Sequence, residues 1–179
     1  MKKFIVLSIV LLMLAGFVIT SSAQETMVVD LLAGQTIKVG TLTVAVVGNN
    51  LIVTYTLIVN PGKLYPEWEL LETHLYVGTV APIKSAPGQF PYGPESEYAT
   101  DDGYSIPLSV LPESDSFFIA AQAEIGKIDP DTGEPVLDPP EIGEQIEETT
   151  WAKGDECIPP CKNWAMYFTF EVQSAGVPA

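Results

Sequence analysis

Short apolar runs, each closed by proline or glycine, are the feature that most constrains how this chain can fold. The clearest runs are 36–59, 70–78, 116–125 and 164–172. Along these runs β-branched and aromatic residues recur at the two-residue period of a β-strand, and no segment shows a sustained helical period. The 15 Pro and 14 Gly residues suit a fold with many turns. The pattern therefore predicts an all-β protein with little helix.

The spacing of the runs predicts an antiparallel β-sandwich of about seven to eight strands. Within 36–59, the triplet Gly48-Asn49-Asn50 separates two long apolar stretches and predicts a β-hairpin. Weaker strand candidates are 27–32, 104–108 and 148–152. Two Pro-rich stretches, 79–102 and 126–147, predict long loops, which in compact domains are often functional.

The first 23 residues have the layout of a secretory signal peptide. Two lysines precede an apolar run over 4–19, and Ser21-Ser22-Ala23 supplies the small residues for cleavage before Gln24. The run is short for a membrane span of about 20 residues, and an uncleaved anchor is the alternative. We expect a single domain over 24–179 that is secreted, extracellular or at the cell surface, with no membrane insertion of the mature chain.

The mature chain is strongly acidic, and this charge limits the kinds of molecule that it can bind. Residues 24–179 contain six Lys, no Arg and 23 Asp or Glu, a formal charge of −17. This charge repels nucleic acid, so no nucleic-acid partner is expected. The charge attracts cations, or it serves only to keep a secreted protein soluble.

The loop at 126–147 carries a pattern of carboxylates suited to a cation. Asp129, Asp131 and Glu134 surround a Thr-Gly pair, and Asp138 follows nearby. Tight loops present oxygen atoms to calcium in this way, so these four residues are the candidate calcium ligands. The alternative is a solvated acidic turn between two strands. No other cofactor is predicted.

Cys157 and Cys161 are the only cysteines, and in an exported chain their spacing predicts a disulfide that pins a short loop. His74 is the only histidine. In a strand, Glu72, His74 and Tyr76 share one face, where they would bind a metal weakly, take part in acid–base chemistry or satisfy each other's hydrogen bonds. The chain contains no G-x-S-x-G elbow, and no residue is assigned a catalytic role.

Five ordered blocks carry a resemblance to known proteins: ETHLYVG at 72–78, APGQFPY at 86–92, IAAQA at 119–123, ETTWA at 148–152 and WAMYF at 164–168. The chain resembles a group of exported prokaryotic β-sandwich proteins with blocks ETHLYVG, APGQFPY, IAAHA, ETxWA and WAMYF. The resemblance spans about Asp30 to Val172 and implies the fold, but no particular activity.

The group usually has a His at the position of Gln122, and the resemblance suggests a polar cluster of Glu72, His74 and Glu148 beside it. Gln is a much poorer metal ligand than His, so the substitution weakens a metal site there and leaves a hydrogen-bonded cluster intact.

These observations favour an exported, non-enzymatic structural or adhesive module at the cell surface or in the extracellular matrix. The alternative is a calcium- or carbohydrate-binding module that uses the loops at 79–102 and 126–147, where aromatic side chains could stack on sugars. A protein or glycan surface is the expected partner. Self-association through an exposed sheet edge is a third hypothesis.

Overall fold

The structure, a computed structural model, describes residues 26–59, 67–94, 99–140 and 142–172. The signal peptide predicted over 1–23 lies outside the described residues. The described part of the chain forms β1 (Thr26–Ala33), β2 (Ile37–Val47), β3 (Asn50–Leu57), β4 (Trp68–Gly78), β5 (Asp101–Pro107), β6 (Ser116–Lys127), β7 (Leu137–Asp138), β8 (Glu144–Gln145), β9 (Glu147–Ala152), β10 (Glu156–Cys157) and β11 (Met166–Glu171), with short 3-10 turns at Pro87–Gln89 and Leu108–Val110. Across these ranges, no helix has the length and apolarity that a membrane crossing requires.

The predicted antiparallel all-β fold is confirmed. Every strand expected from the sequence is present, and the hairpin of β2 and β3 turns at Gly48-Asn49 as expected. The loop predicted over 79–102 ends earlier than expected, because β5 already begins at Asp101. The acidic stretch at 126–147 is partly paired, since β6 extends to Lys127 and the two-residue strands β7 and β8 form a small hairpin.

β6 is the central strand of the main sheet. One edge of β6 pairs with β4, and the other pairs first with β11 and then with β9. The order β10-β11-β6-β9-β1-β2-β3-β5 completes the sheet, with β4 attached to β6. β1 pairs with β2 along its whole length but with β9 only at Leu31–Ala33, and a bulge follows Leu31. The main core is shared by residues of β2 and β3 with residues of β4 and β6, so the sheet folds over onto itself.

Alternation along the strands builds the main core. Leu51, Val53, Tyr55 and Leu57 of β3 are all buried, as the predicted face of this strand requires. In β4 the residues Thr73, Leu75 and Val77 point into the same core, which leaves Glu72, His74 and Tyr76 on the outer face as predicted.

β6 is buried on its outer face as well. There a second group of buried residues, here named the outer cluster, consists of Ala120, Trp151, Ile158 and Ala165, with Tyr76, Phe90, Trp164 and Tyr167 packed against it. Trp164 therefore contributes to this cluster from just before β11, and not to the main core. Two covering segments complete the outer cluster, the strap (residues 79–94) and the disulfide loop (residues 153–165).

Candidate functional site

The outer face of β4, β6 and β9 carries a row of polar side chains beside the outer cluster. Strand register places Glu72 opposite Glu124, which is in turn opposite Thr149. Two residues further along β4, His74 lies opposite Gln122 of β6, and Gln122 lies opposite Trp151 of β9. We name Glu72, His74, Gln122, Glu124 and Thr149 the polar row.

Members of the polar row interact mainly with one another. His74 Nε2 lies 3.4 Å from Glu72 Oε2. Gln122 Nε2 donates to Glu124 Oε1 at 2.7 Å, and Thr149 Oγ1 lies 3.1 and 3.2 Å from the two oxygens of the same carboxylate. Glu124 is therefore held by two donors, an arrangement that stabilises the strand pairing.

Gln122 is the exception within the polar row. Its side chain is buried, and its Oε1 has no hydrogen-bond partner among the described atoms. The Nε2 donation to Glu124 fixes the orientation of the amide, because the reversed amide would place an oxygen against a carboxylate. The sequence marks Gln122 only as a polar residue in an apolar run, and the pairing of β6 with β4 and β9 gives it its neighbours.

The predicted cluster of Glu72, His74 and Glu148 is not assembled. Glu148 lies opposite Ile125, a main-core residue, whereas its neighbour Thr149 lies opposite Glu124. Successive residues of a strand point to opposite faces, so Glu148 is on the other face of the sheet from His74. A shift of one residue in the expected register accounts for the error, and Thr149 takes the place assigned to Glu148.

The strap crosses the outer face and returns to the edge of β4. Phe90 packs edge-on against Trp151 with ring centroids 6.1 Å apart and contacts Tyr76 at 5.9 Å. Tyr92 then pairs through its main chain with Leu75. Between the strap and β4 there is no room for a side chain at Gly93, where a Cβ would lie 2.6 Å from Thr73 O and where φ is +138°. The strap is therefore fitted closely to the sheet.

The aromatic residues of the strap do not form an open platform for sugars. Phe90 is packed into the outer cluster, and Tyr92 packs against the main core beside Tyr104. Exposed apolar surface occurs instead at Val80 and Ile83, which are 68% and 75% exposed. With Tyr76, Phe90 and the polar pair Lys84 and Gln89, they border a cavity of about 300 Å³, here named the strap groove.

The candidate calcium ligands lie in one turn and one short strand. Asp129 Oδ1 accepts hydrogen bonds from the main-chain N–H groups of Asp131 and Thr132 at 2.8 and 3.1 Å, and Asp129 N donates to Glu134 O. Asp138 lies apart in β7. Among the described residues, no group of three or more His, Cys, Asp or Glu is arranged to hold a metal ion. The geometry shows a hydrogen-bonded turn, and calcium binding stays a prediction.

Thermal unfolding tests the calcium prediction directly. A site that binds calcium only in the native state raises the unfolding midpoint in calcium relative to chelator, with about 2.7 kcal/mol of stabilisation at a hundredfold excess over the dissociation constant. The measurement is a pair of melts at fixed pH and ionic strength. A site at the turn requires the Asp129→Asn/Asp131→Asn protein to lose the shift, and equal midpoints in the parent protein contradict the prediction.

The predicted disulfide is present. Cys157 and Cys161 are bonded, with Cα atoms 5.5 Å apart. Between them, the fully buried Ile158 enters the outer cluster. Asn163 Nδ2 also donates to Ser85 Oγ of the strap at 3.1 Å. The disulfide therefore pins a loop whose side chains cover the outer face of the sheet.

A buried polar network, which sequence reasoning missed, joins the two halves of the folded sheet. Thr73 Oγ1 lies 2.5 Å from Asp102 Oδ2 and 2.8 Å from Tyr104 Oη, and Tyr104 Oη donates to Thr73 O. Tyr55 Oη donates to His74 O at 2.9 Å. The four side chains come from β3, β4 and β5, strands that are distant in sequence, so no local motif could have revealed the network.

From the burial of the Tyr55 hydroxyl we predict how the free energy of unfolding changes at alkaline pH. Burial, with smaller contributions from Tyr104 and Asp102, raises the pKa of Tyr55 well above 10.0. The folded protein therefore holds this proton more tightly than the unfolded chain does. Stability from Tyr55 is complete below pH about 10 and decreases as pH rises above it, by up to about 1.4 kcal/mol per pH unit.

The corresponding test is urea unfolding of the Tyr55→Phe protein as a function of pH. We expect a loss of about 1 to 2 kcal/mol at neutral pH, because the His74 carbonyl loses its donor. Above pH about 10, the free energy of unfolding should fall less steeply with pH than in the parent protein. The difference in slope should approach that of one proton, about 1.4 kcal/mol per pH unit. Parallel alkaline profiles for the two proteins would contradict the assignment.

No protein-family model, curated protein or solved structure matches the chain. The functional conclusion therefore depends on the geometry of the described residues.

Proposed function

We propose that the protein is an exported, non-enzymatic structural or adhesive module that acts at the cell surface or in the extracellular matrix. The observation that carries the proposal is the strap groove. It presents exposed apolar side chains next to the rings of Tyr76 and Phe90, on a segment whose main chain pairs with β4. An exposed apolar patch rimmed by polar groups is typical of an interaction surface.

The polar groups near this surface support binding better than reaction. Glu72 lies against His74, and Glu124 is held by Gln122 and Thr149. Lys84 Nζ donates to Gln89 Oε1 at 3.1 Å at the rim of the groove. Such groups orient a partner surface, whereas nucleophilic catalysis needs a nucleophile beside a base.

The test is binding of the exported protein to the surface fraction of the producing cells, measured by cosedimentation. We expect Ile83→Asp to weaken binding at least about tenfold, because a charge would be buried against the partner. Val110→Asp is the matched control, since Val110 is also exposed, at 66%, but lies in the second 3-10 turn outside the groove. Equal binding by all three proteins would remove the groove from the proposal. Turnover of a polysaccharide or peptide by the pure protein would overturn its non-enzymatic part.

A further inference from the structure

Charge is unevenly distributed around the strap groove. Although the chain has a formal charge of −15, the strap and residues 157–165 of the disulfide loop contain Lys84 and Lys162 and no Asp or Glu. Asn163 Nδ2 donates to Ser85 Oγ, so the hydrogen bond that joins the two segments lies one residue from each lysine. Within the described ranges, neither lysine forms an ion pair. The strap groove is therefore an apolar site with positive charge at its rim, on an acidic protein.

The hairpin of β7 and β8 has the complementary combination of groups. Residues 129–147 contain seven Asp or Glu and no Lys. At the tip of the hairpin, Ile142 is 87% exposed, the largest exposed fraction among the large apolar side chains of the described residues. Asp138 and Glu144, which pair across the hairpin below the tip, are exposed as well. The tip therefore presents an aliphatic side chain beside carboxylates, which suits an apolar groove with lysines at its rim.

Main-chain hydrogen bonds hold the hairpin in place. Ile146 N donates to Val136 O within the hairpin, and Gly143 N donates to Pro139 O across its turn. Lys127 N donates to Ile146 O and Lys127 O accepts from Val136 N, so the hairpin is attached to the end of β6. A tip that is already ordered loses little conformational entropy when it docks.

The hairpin and the strap groove lie at opposite ends of the same pair of strands. β4 pairs with β6 from Trp68, opposite Lys127, to Gly78, opposite Phe118. The hairpin is attached at Lys127, whereas the groove borders Tyr76. The eight residues from Trp68 to Tyr76 along β4 span about 26 Å. The tip is therefore remote from the groove of its own chain, and the groove it can enter is that of a second copy.

From this complementarity we infer that copies of the chain associate head to tail, with Ile142 of one copy seated in the strap groove of the next. The inference rests on the strap groove of the proposed function, and it names a second copy as the occupant of that groove. The cavity of about 300 Å³ has room for an aliphatic side chain between Ile83 and Phe90. The carboxylates of the tip then face Lys84 at the rim.

The two surfaces in this contact are different, which decides the kind of assembly. After two copies pair, one still has a free groove and the other a free tip. Contacts of this heterologous kind continue into open chains when they do not close into a ring. A reversible chain of copies suits a structural module of a cell surface or matrix.

Sedimentation velocity of the protein at concentrations up to about 1 mM tests the inference, since a contact this small is expected to be weak. We expect reversible growth beyond a dimer as concentration rises. Ile142→Asp and Ile83→Asp should each raise the dissociation constant at least about tenfold, because a carboxylate would be buried in the apolar contact. Val47→Asp is the matched control, since Val47 is 47% exposed at the end of β2 and borders neither surface. A parent protein that stays monomeric throughout overturns the inference.

Mixing the two variants distinguishes the head-to-tail contact from any other. Ile142→Asp keeps an intact groove and Ile83→Asp keeps an intact tip, so the mixture should form a dimer with one molecule of each, although neither variant associates alone. This dimer should not grow, because its remaining tip and groove both carry Asp. A mixture of folded variants that stays monomeric, or that grows beyond the dimer, overturns the inference.

Assembly and surface binding fail separately in these experiments. Ile142→Asp has an intact groove, so it should still cosediment with the surface fraction of the producing cells. A monomeric parent protein whose surface binding is lost on Ile83→Asp overturns the assembly and leaves the proposed function in place. Assembly that requires Ile142 and Ile83, without any surface binding, removes the surface-binding part of the proposed function and leaves the assembly in place.

Discussion

Trp151→Ala is expected to destabilise the protein by about 4 kcal/mol, the scale of removing a large aromatic side chain from a well-packed interior. Trp151 is 3% exposed at the centre of the outer cluster, although it lies on the outer face of the sheet. It contacts Phe90 of the strap edge-on and shares the cluster with Ile158 of the disulfide loop. Its removal leaves a cavity beneath both covering segments.

Urea unfolding followed by circular dichroism measures the loss. Trp68→Ala is the matched control, because Trp68 is only partly buried at the start of β4, where Lys127 Nζ lies 6.0 Å from its ring. Its loss should cost less than half as much. Trp151→Phe should recover part of the stability, since an aromatic ring again fills the site. Equal losses for the two alanine variants would show that the outer cluster is not a second core.

Gly154→Ala is expected to cost about 3 kcal/mol or more, because no space exists for a Cβ at this position. After β9 ends, the chain passes directly against β11, and a Cβ on Gly154 would overlap the main-chain atoms of Tyr167. Main chain cannot move aside as a flexible side chain can. Either the disulfide loop or β11 would have to shift.

Gly88→Ala provides the control for this prediction. A Cβ at Gly88, in the first 3-10 turn, meets no atom within 4 Å. We expect the free energy of unfolding to change by less than about 1 kcal/mol, because the added Cβ meets no neighbour and alanine restricts the unfolded chain. The midpoint of thermal unfolding of both variants gives the comparison. If Gly154→Ala unfolds at the same temperature as Gly88→Ala, the close approach of Gly154 to β11 is wrong.

Most of the fold could be predicted from the local pattern of apolar, polar and turn residues. Whether a segment becomes a strand depends on the alternation of apolar and polar residues within it and on the turn residues beside it. Both features can be identified from the sequence alone. The pattern at 116–125 therefore predicted β6, and Gly48-Asn49 predicted the first hairpin. The disulfide followed from spacing and expected export. The two-residue strands β7, β8 and β10 have too few residues to show alternation.

The candidate site was less readable, because its members meet only through pairing between distant strands. His74 and Tyr76 were placed on the correct face of β4, since one strand fixes that relation by itself. Whether Glu148 or Thr149 joins them depends on the register of β9 against β6, which no residue of β9 specifies alone. A one-residue difference in register moves every side chain to the other face.

The sequence by itself determined that this chain forms antiparallel strands, roughly where the longer strands lie, and that Cys157 and Cys161 can close a loop. Only the tertiary structure decided that Trp151 is buried beneath the strap, that Asp102 meets Thr73 across the core, and that β9 pairs with β1 at Leu31–Ala33. The physical reason is the sequence separation of the residues whose interactions decide each feature. Strand formation is set by neighbours along the chain, whereas faces, edges and buried networks are set by residues that folding brings together from far apart.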